Sequence, residues 1–185
     1  AIPGLTIISP ADCAEVYKIL EACVGFEHPV YIRLTGAVSC PVVYTEDYDF
    51  EIGKAVWLRE AQKVTVISAG TTVGHCLKAA AALEEDGINV GLLNMHTVKP
   101  LDREAIADAV ETSDTIFVVD EHTRIGGLGS AITDHIVEHH GMGVRLFCHG
   151  IDDRYVETGN YPFLLQKNGL DAAGIEAFIR TKLAL

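Results

Sequence analysis

A glycine-rich corner follows an apolar run that ends at Val119 and carries the most suggestive chemistry in the chain. Glycines at a strand-to-helix turn allow positive φ, and the free N–H groups of a helix start can hold an anion. The glycine spacing matches neither phosphate-loop pattern, so a tight structural turn is favoured over an anion cradle. The polar members of this corner are Asp120, Glu121 and His122, and its glycines are Gly126, Gly127 and Gly129.

Two other polar groups follow predicted strands, around Thr71 and around His96. Carboxyl ends of parallel strands meet at one edge of a sheet, where ligands usually bind. Together with Glu121 and His122, these residues could form a site for a small anion or substrate. They could equally be helix caps and a polar subunit interface, which we favour because loops at strand ends are polar in any case.

The remaining reactive residues do not form a recognisable catalytic set. His135 and His139 share a helix face at metal-ligand spacing, but no third ligand is evident, so we assign no metal site. Cys148 and His149 are adjacent in the chain rather than placed as nucleophile and base, and no esterase elbow is present. The catalytic residues of this chain are therefore unassigned.

The elements that must position these residues predict an α/β fold. Residues 1–36 read as the last β-α-β unit of an incomplete domain, with Ser9 or Asp12 capping the helix, and residues 37–50 read as a linker. Residues 51–185 alternate strands and helices, which predicts a three-layer α/β/α domain with a mostly parallel sheet and one antiparallel edge strand.

Two local expectations inside this domain are specific enough to test. The strands at 54–58 and 64–68 are separated by a short polar connection, which predicts that they form an antiparallel pair. Residues 95–99 are expected to be a connection without secondary structure, before a helix that starts at Pro100 or Asp102.

Composition excludes several classes of function. The 185 residues carry a net charge of −12, which argues against nucleic acid and anionic membranes as partners. No apolar run is long enough to span a bilayer, and no signal peptide opens the chain, which begins Ala-Ile-Pro as a processed or excised product would. Five cysteines without a Cys-x-x-Cys pair predict reduced thiols and a cytoplasmic protein.

Several motifs, taken in order, resemble the C-terminal section of the transketolase superfamily. The resemblance covers essentially the whole chain. The His-Thr-Val-Lys-Pro sequence is most similar to that of the C-terminal subunit of bacterial split transketolases. The motifs are Ser9-Pro10-Ala11-Asp12, Tyr31-Ile32-Arg33-Leu34, His96-Thr97-Val98-Lys99-Pro100, Asp120-Glu121-His122 with its glycines, and Gly150-Ile151-Asp152-Asp153-Arg154.

The resemblance implies an enzyme that uses thiamine diphosphate and Mg²⁺ to transfer two-carbon ketol units. It places the catalytic groups upstream of Ala1, in an N-terminal section or subunit, so the chain alone is expected to bind no cofactor and to be inactive. The expected role of this chain is support of a homodimer or higher homo-oligomer. The edge and apolar faces of the first unit also predict self-association.

One position departs from the family pattern. The arginine that meets the substrate phosphate in the family falls at Gly36 by spacing, while Arg33 matches an earlier and more structural arginine. We retain Arg33 as a candidate substrate-binding residue; either another group holds the phosphate or the substrate lacks one. Two alternatives remain open: a 1-deoxyxylulose-5-phosphate synthase or 2-oxo acid dehydrogenase subunit, and a stand-alone anion-binding or regulatory module.

Overall fold

The computed structural model describes residues 2–35, 40–141 and 143–185. Its strands and helices follow in the order β1 (Thr6–Ile8), α1 (Cys13–Cys23), β2 (Val30–Ile32), β3 (Val56–Arg59), β4 (Val64–Ser68), α2 (Thr72–Glu85), β5 (Val90–Asn94), β6 (Thr97–Lys99), α3 (Arg103–Thr112), β7 (Thr115–Thr123), α4 (Leu128–His139), β8 (Arg145–Ile151), α5 (Tyr161–Lys167) and α6 (Ala172–Leu183).

A five-stranded sheet in the order β3-β5-β4-β7-β8 forms the centre of the molecule. Strands β5, β4, β7 and β8 are parallel, and β3 is antiparallel at the edge, which confirms the predicted fold class. Alternate strand residues face opposite helical layers: Val66 and Phe117 pack beneath α2 and α6, whereas Ile67 and Val118 pack beneath α3 and α4. The apolar runs of the central strands are continuous because both faces are buried.

The predicted pairing of the third and fourth strands is wrong. β3 pairs with β5, and β4 lies between β5 and β7. The reason is burial: β4 is almost wholly buried and takes two parallel neighbours, while the half-buried β3 takes the edge. The connection crosses β5 at Gly91, where an added Cβ would lie 2.7 Å from the Glu60 carbonyl oxygen.

The expectation that residues 95–99 lack secondary structure is also wrong. Thr97–Lys99 forms β6, which pairs antiparallel with β1 in a second sheet of order β2-β1-β6. Nothing in the local pattern indicates this pairing, because its partner β1 lies about ninety residues earlier. Two backbone bonds reinforce the link between the sheets: Ser9 N–H donates to the His96 carbonyl at 2.7 Å, and Gly70 N–H to the Ser9 carbonyl at 3.1 Å.

Helix starts follow the side chains that cap them. Asp12 caps α1 by accepting the Glu15 N–H at 3.0 Å, which selects it over Ser9 as the cap. Asp102 caps α3 through two N–H groups at 3.1 Å, so that helix begins at Arg103. Among the described residues, no helix is both long and apolar enough to cross a membrane.

Candidate functional site

Glu121 is the centre of a polar cluster at the carboxyl end of β7. Its Oε1 lies 3.3 Å from Nη2 of Arg33, which follows β2, and its Oε2 accepts the Thr71 hydroxyl at 2.9 Å. The Tyr161 hydroxyl, at the start of α5, also binds Oε2. Three separate elements therefore converge on one carboxylate whose side chain is only 9% exposed.

Asp120 supplies the negative charge at the glycine corner. Its Oδ2 accepts the first N–H of α4, from Leu128, at 3.5 Å, and Oδ1 lies 3.9 Å from Nη1 of Arg33. Burial raises the pKa of Asp120, and the Arg33 guanidinium opposes that rise. Because a carboxylate of the chain itself already meets this helix start, the arrangement favours a structural corner over an open anion cradle.

The glycines of the corner are required by shape. Gly126 has a φ of +72°, and a Cβ added at Gly127 would lie 2.5 Å from the Thr123 carbonyl oxygen. A Cβ at Gly129 would lie 2.9 Å from Sγ of Cys148 on the neighbouring strand. These contacts let α4 start directly against β7 and β8.

A cavity of about 400 Å³ separates the first sheet from the glycine corner. Ile7 and Tyr31 line it from the first sheet, and Leu128 and Ala131 line it from α4. Its polar lining residues are Ser9, Arg33, Lys99, Asp120 and His122. Two cations and one carboxylate at an apolar cavity could hold a small polar molecule, and the binding of an anion here stays a prediction.

The structure brings Thr71 and Glu121 together but leaves His96 outside the cluster. His96 is fully buried, its ring packs at a tilt against Phe50 with centroids 4.4 Å apart, and Nδ1 lies 3.0 Å from the Thr97 hydroxyl. Burial lowers the pKa of His96 to about 4, so the ring is neutral near pH 7. His122 lines the cavity, and position 36 lies outside the described residues.

The other candidate reactive groups are held apart or already engaged. Cys148 packs on the α4 side of β8, whereas His149 stacks on Phe178 of α6 and lies 2.7 Å from the Gly169 carbonyl oxygen. The thiol and the imidazole thus face opposite sides of the sheet. Across the described ranges, no group of three or more histidine, cysteine or acidic side chains could hold a metal ion.

Sequence reasoning missed Tyr161 as part of the cluster. It lies 40 residues after Glu121 and 90 residues after Thr71, in a tail predicted only to be helical. The available signal was local: Asn160 caps α5, which fixes Tyr161 as the first residue of that helix.

The protein is an α/β protein. Its open, mostly parallel sheet has helices on both faces and polar clusters at its strand ends, and a second short sheet lies beside it. Residues 53–175 match the family described as transketolase, C-terminal domain. The chain belongs to this family.

The curated relatives are transketolase-type enzymes. The chain is 38% identical over 174 residues to one of the subunits of the apulose-4-phosphate transketolase of Phocaeicola vulgatus, covering 94% of this chain and 54% of the relative. It is 36% identical over 186 residues to 1-deoxy-D-xylulose-5-phosphate synthase 1 of Geobacter sulfurreducens, covering 98% of this chain and 29% of the relative. The chain thus spans about half, or less, of the length of these relatives.

Solved structures give the same fold. An inactive β4 tetramer of a split-gene transketolase matches with a TM-score of 0.91 and 32% identity, over 100% of this chain and 60% of that chain. Transketolase from Campylobacter jejuni matches with a TM-score of 0.65 at 18% identity, over 97% of this chain and 26% of that chain, which supports the fold alone.

Proposed function

We propose that this chain is the C-terminal part of a thiamine-diphosphate-dependent ketol transferase, in which it supports assembly and carries no catalytic group. The observation behind the proposal is the cluster at Glu121. Its polar groups bind Arg33, Thr71 and Tyr161 of the same chain, as expected of a structural joint. Arg33 also lines the neighbouring cavity, but Glu121, Thr71 and Tyr161 bind one another, so their polar groups are used within the chain.

The cofactor is assigned to another part of the complete enzyme. Transketolase-family enzymes use thiamine diphosphate and a divalent metal. When bound, thiamine diphosphate supplies the electron sink for breaking the bond beside a carbonyl group. By resemblance to the family, we place Mg²⁺ and the diphosphate in an N-terminal section or partner subunit. The residues of this chain then act by holding the joint between its two sheets.

A reconstitution experiment tests this division of labour. The chain is mixed with its N-terminal partner, thiamine diphosphate and Mg²⁺, and ketol transfer from a ketose phosphate to an aldose is followed. We expect activity only with both parts present. We also expect no cofactor-dependent stabilisation of the chain alone, whereas a true site would add about 2.7 kcal/mol at one hundred times its dissociation constant. A saturable shift of that kind would contradict the proposal.

A second candidate is part of a 1-deoxyxylulose-5-phosphate synthase. The similarity to the Geobacter sulfurreducens enzyme over 98% of this chain favours it. The assembled enzyme should then condense pyruvate with a triose phosphate, releasing the pyruvate carboxyl group as CO₂, and leave ketose donors unused. Oxidative decarboxylation of a 2-oxo acid would instead identify a dehydrogenase subunit, so one substrate panel separates the three activities.

The alternative that is not an enzyme is a stand-alone anion-binding module. Titration with inorganic phosphate tests it, with Gly129→Val as the variant. An anion site predicts saturable binding of phosphate by the unchanged protein. A structural corner predicts no binding and a loss of stability, because the new side chain meets Cys148. The cytoplasmic location and the absence of nucleic-acid and membrane partners also stay predictions.

A further inference from the structure

Residues 40–50, which we call the strap, lie against the start of α1. One carboxylate oxygen of Asp12 accepts the N–H groups of Val43 at 2.7 Å and Tyr44 at 3.0 Å, while the other oxygen caps α1. Asp12 is buried, so these bonds are made out of water. The middle of the strap is therefore hydrogen-bonded to the start of α1.

Glu15, one turn further along α1, is fully buried beneath the strap. Its Oε2 accepts the Ala11 N–H at 2.6 Å, and its Oε1 accepts the Tyr48 hydroxyl at 3.0 Å. The same Oε1 accepts Nδ2 of Asn94, the last residue of β5, at 2.8 Å. One carboxyl group thus contacts the first unit, the strap and the main sheet.

The strap closes over Glu15 with two aromatic rings. The rings of Tyr44 and Tyr48 stack with centroids 3.9 Å apart, and Nδ2 of Asn94 also donates to the Tyr44 hydroxyl at 2.7 Å. Within the described part of the chain, Oδ1 of Asn94 is buried and has no hydrogen-bond partner. Glu15 and Asn94 are fully buried, so a charge on Glu15 is costly.

The groups that face Glu15 come from three elements. Burial is the dominant influence and raises the pKa of Glu15 to about 7; Asp12 on α1 adds to the rise, whereas the bonds from Ala11 and Tyr48 oppose it. Burial also raises the pKa of Tyr44 and Tyr48, so both hydroxyls keep their protons near neutral pH. Asn94 of β5 is uncharged, and Lys18 lies 5.7 Å from the Tyr48 ring centre and pairs with Asp47.

We infer that Glu15 is a proton-operated latch that holds the strap on α1 and β5 when protonated and loosens it when ionised. Protonation removes the buried charge, and the hydroxyl of Tyr48 can turn from donating to accepting the new O–H. The strap contacts both α1 and β5 through this cluster, so the latch controls how firmly the strap is held against them. This inference does not depend on the proposed enzymatic function.

The sign of the effect follows from the direction of the shift. The pKa of Glu15 is raised from 4.5 to about 7 when the strap is docked, so protonation of Glu15 stabilises the docked strap. This stabilisation is complete below pH 4.5 and is lost as the pH rises to about 7. Above that pH the effect levels off. A shift of this size changes the docking equilibrium by on the order of 100-fold.

Hydrogen exchange of the Val43 and Tyr44 amides reports docking directly. Protection factors, which remove the intrinsic pH dependence of exchange, are measured at about pH 5 and about pH 8. We expect protection to fall by on the order of 100-fold at the higher pH. Glu15→Gln should give the same protection at both pH values, while the exposed Glu21→Gln on the same helix should behave as the unchanged protein.

Two results would overturn the inference: equal protection at both pH values in the unchanged protein, or the same decrease in Glu15→Gln. A direct titration guards against a variant that fails to fold. The carboxyl carbon of Glu15 in the unchanged protein should titrate by NMR near pH 7. A midpoint near the ordinary value of 4.5 would refute the latch whatever the variants do.

Discussion

The guanidinium of Arg33 lies 3.3 Å from the carboxylate of Glu121, a residue 88 positions later in the chain. This pair joins the end of β2 to the end of β7 and so links the two sheets. The side chains are 26% and 9% exposed, which places the pair mostly out of water. Breaking a partly buried pair of this kind costs more than breaking an exposed one, because it leaves a buried charge without its partner.

Replacing Arg33 with methionine should lower the free energy of unfolding by about 2 kcal/mol, since Glu121 then loses its countercharge. Urea denaturation measures the change. Lys63→Met is the matched control, because Lys63 and Asp114 form a pair whose side chains are 77% and 74% exposed. The control should change stability very little. Equal effects of the two substitutions would mean that the Arg33 pair is only a surface contact.

Tyr161→Phe should cost about 1 kcal/mol of stability, because it removes the hydroxyl that binds Glu121 and Thr71 and keeps the ring. Thermal unfolding followed by circular dichroism gives the comparison. Tyr155→Phe removes the same group from a fully exposed ring and should be neutral. A neutral Tyr161→Phe would remove Tyr161 from the cluster.

Gly91→Ala should destabilise the fold by about 2 kcal/mol or more, because even one methyl group forces the backbone apart where the β3–β4 connection crosses β5. The added carbon would lie 2.7 Å from the Glu60 carbonyl oxygen and 3.0 Å from Cα of Ala61. Gly143→Ala is the control, since a Cβ there meets nothing within 4 Å. Unchanged stability in Gly91→Ala would show that the crossing yields easily.

His96 and Glu15 should give opposite pH dependences over nearly the same range. Burial lowers the pKa of His96 to about 4, so its contribution to stability is present above its ordinary value of 6.5 and is lost as the pH falls towards 4. The raised pKa of Glu15 makes its contribution present at low pH and lost between 4.5 and about 7. The two contributions largely cancel in the unchanged protein.

Single substitutions should therefore uncover each titration. When the pH is raised from about 4.5 to about 6.5, the free energy of unfolding of His96→Gln should fall by about 2 kcal/mol relative to the unchanged protein. That of Glu15→Gln should rise by about 2 kcal/mol. Urea denaturation at both pH values provides the four differences needed. Parallel pH profiles for the three proteins would show that neither group titrates in the folded state as described.

Self-association should be detectable at micromolar concentration. An apolar stripe is formed by Tyr17 and Leu20 on α1 and by Val24 directly after it, which are 75%, 53% and 84% exposed. Such a stripe is expected to be covered. Light scattering should give a mass above that of one chain, and Leu20→Glu with Val24→Glu should reduce it. A monodisperse monomer before any substitution would contradict this prediction.

Much of the fold could be predicted because local patterns carry it. The helices at α2, α4 and α6 follow apolar spacing, and the order of strands and helices specifies a parallel sheet. Strand adjacency could not be obtained in this way. The positions of β3 and β6 depend on burial and on partners distant in sequence, which no short window contains.

The site was only partly predictable for the same reason. Thr71 follows β4 and Glu121 lies near the carboxyl end of β7, so their proximity was foreseeable from the topology of a parallel sheet. His96 follows a strand as well, but Phe50 covers it and removes it from the surface. Whether the strap would cover one strand end and leave another open depends on side-chain packing.

The short strand β6 has a consequence for how such a chain can be divided. It lies within the family-matched range 53–175 yet completes the sheet that begins with β1. A gene cut within the strap would leave each piece with an unpaired strand edge, and a transplanted C-terminal half would bring a strand with no partner in its new host. The two halves are therefore expected to be inherited, exchanged and engineered as one module rather than as two.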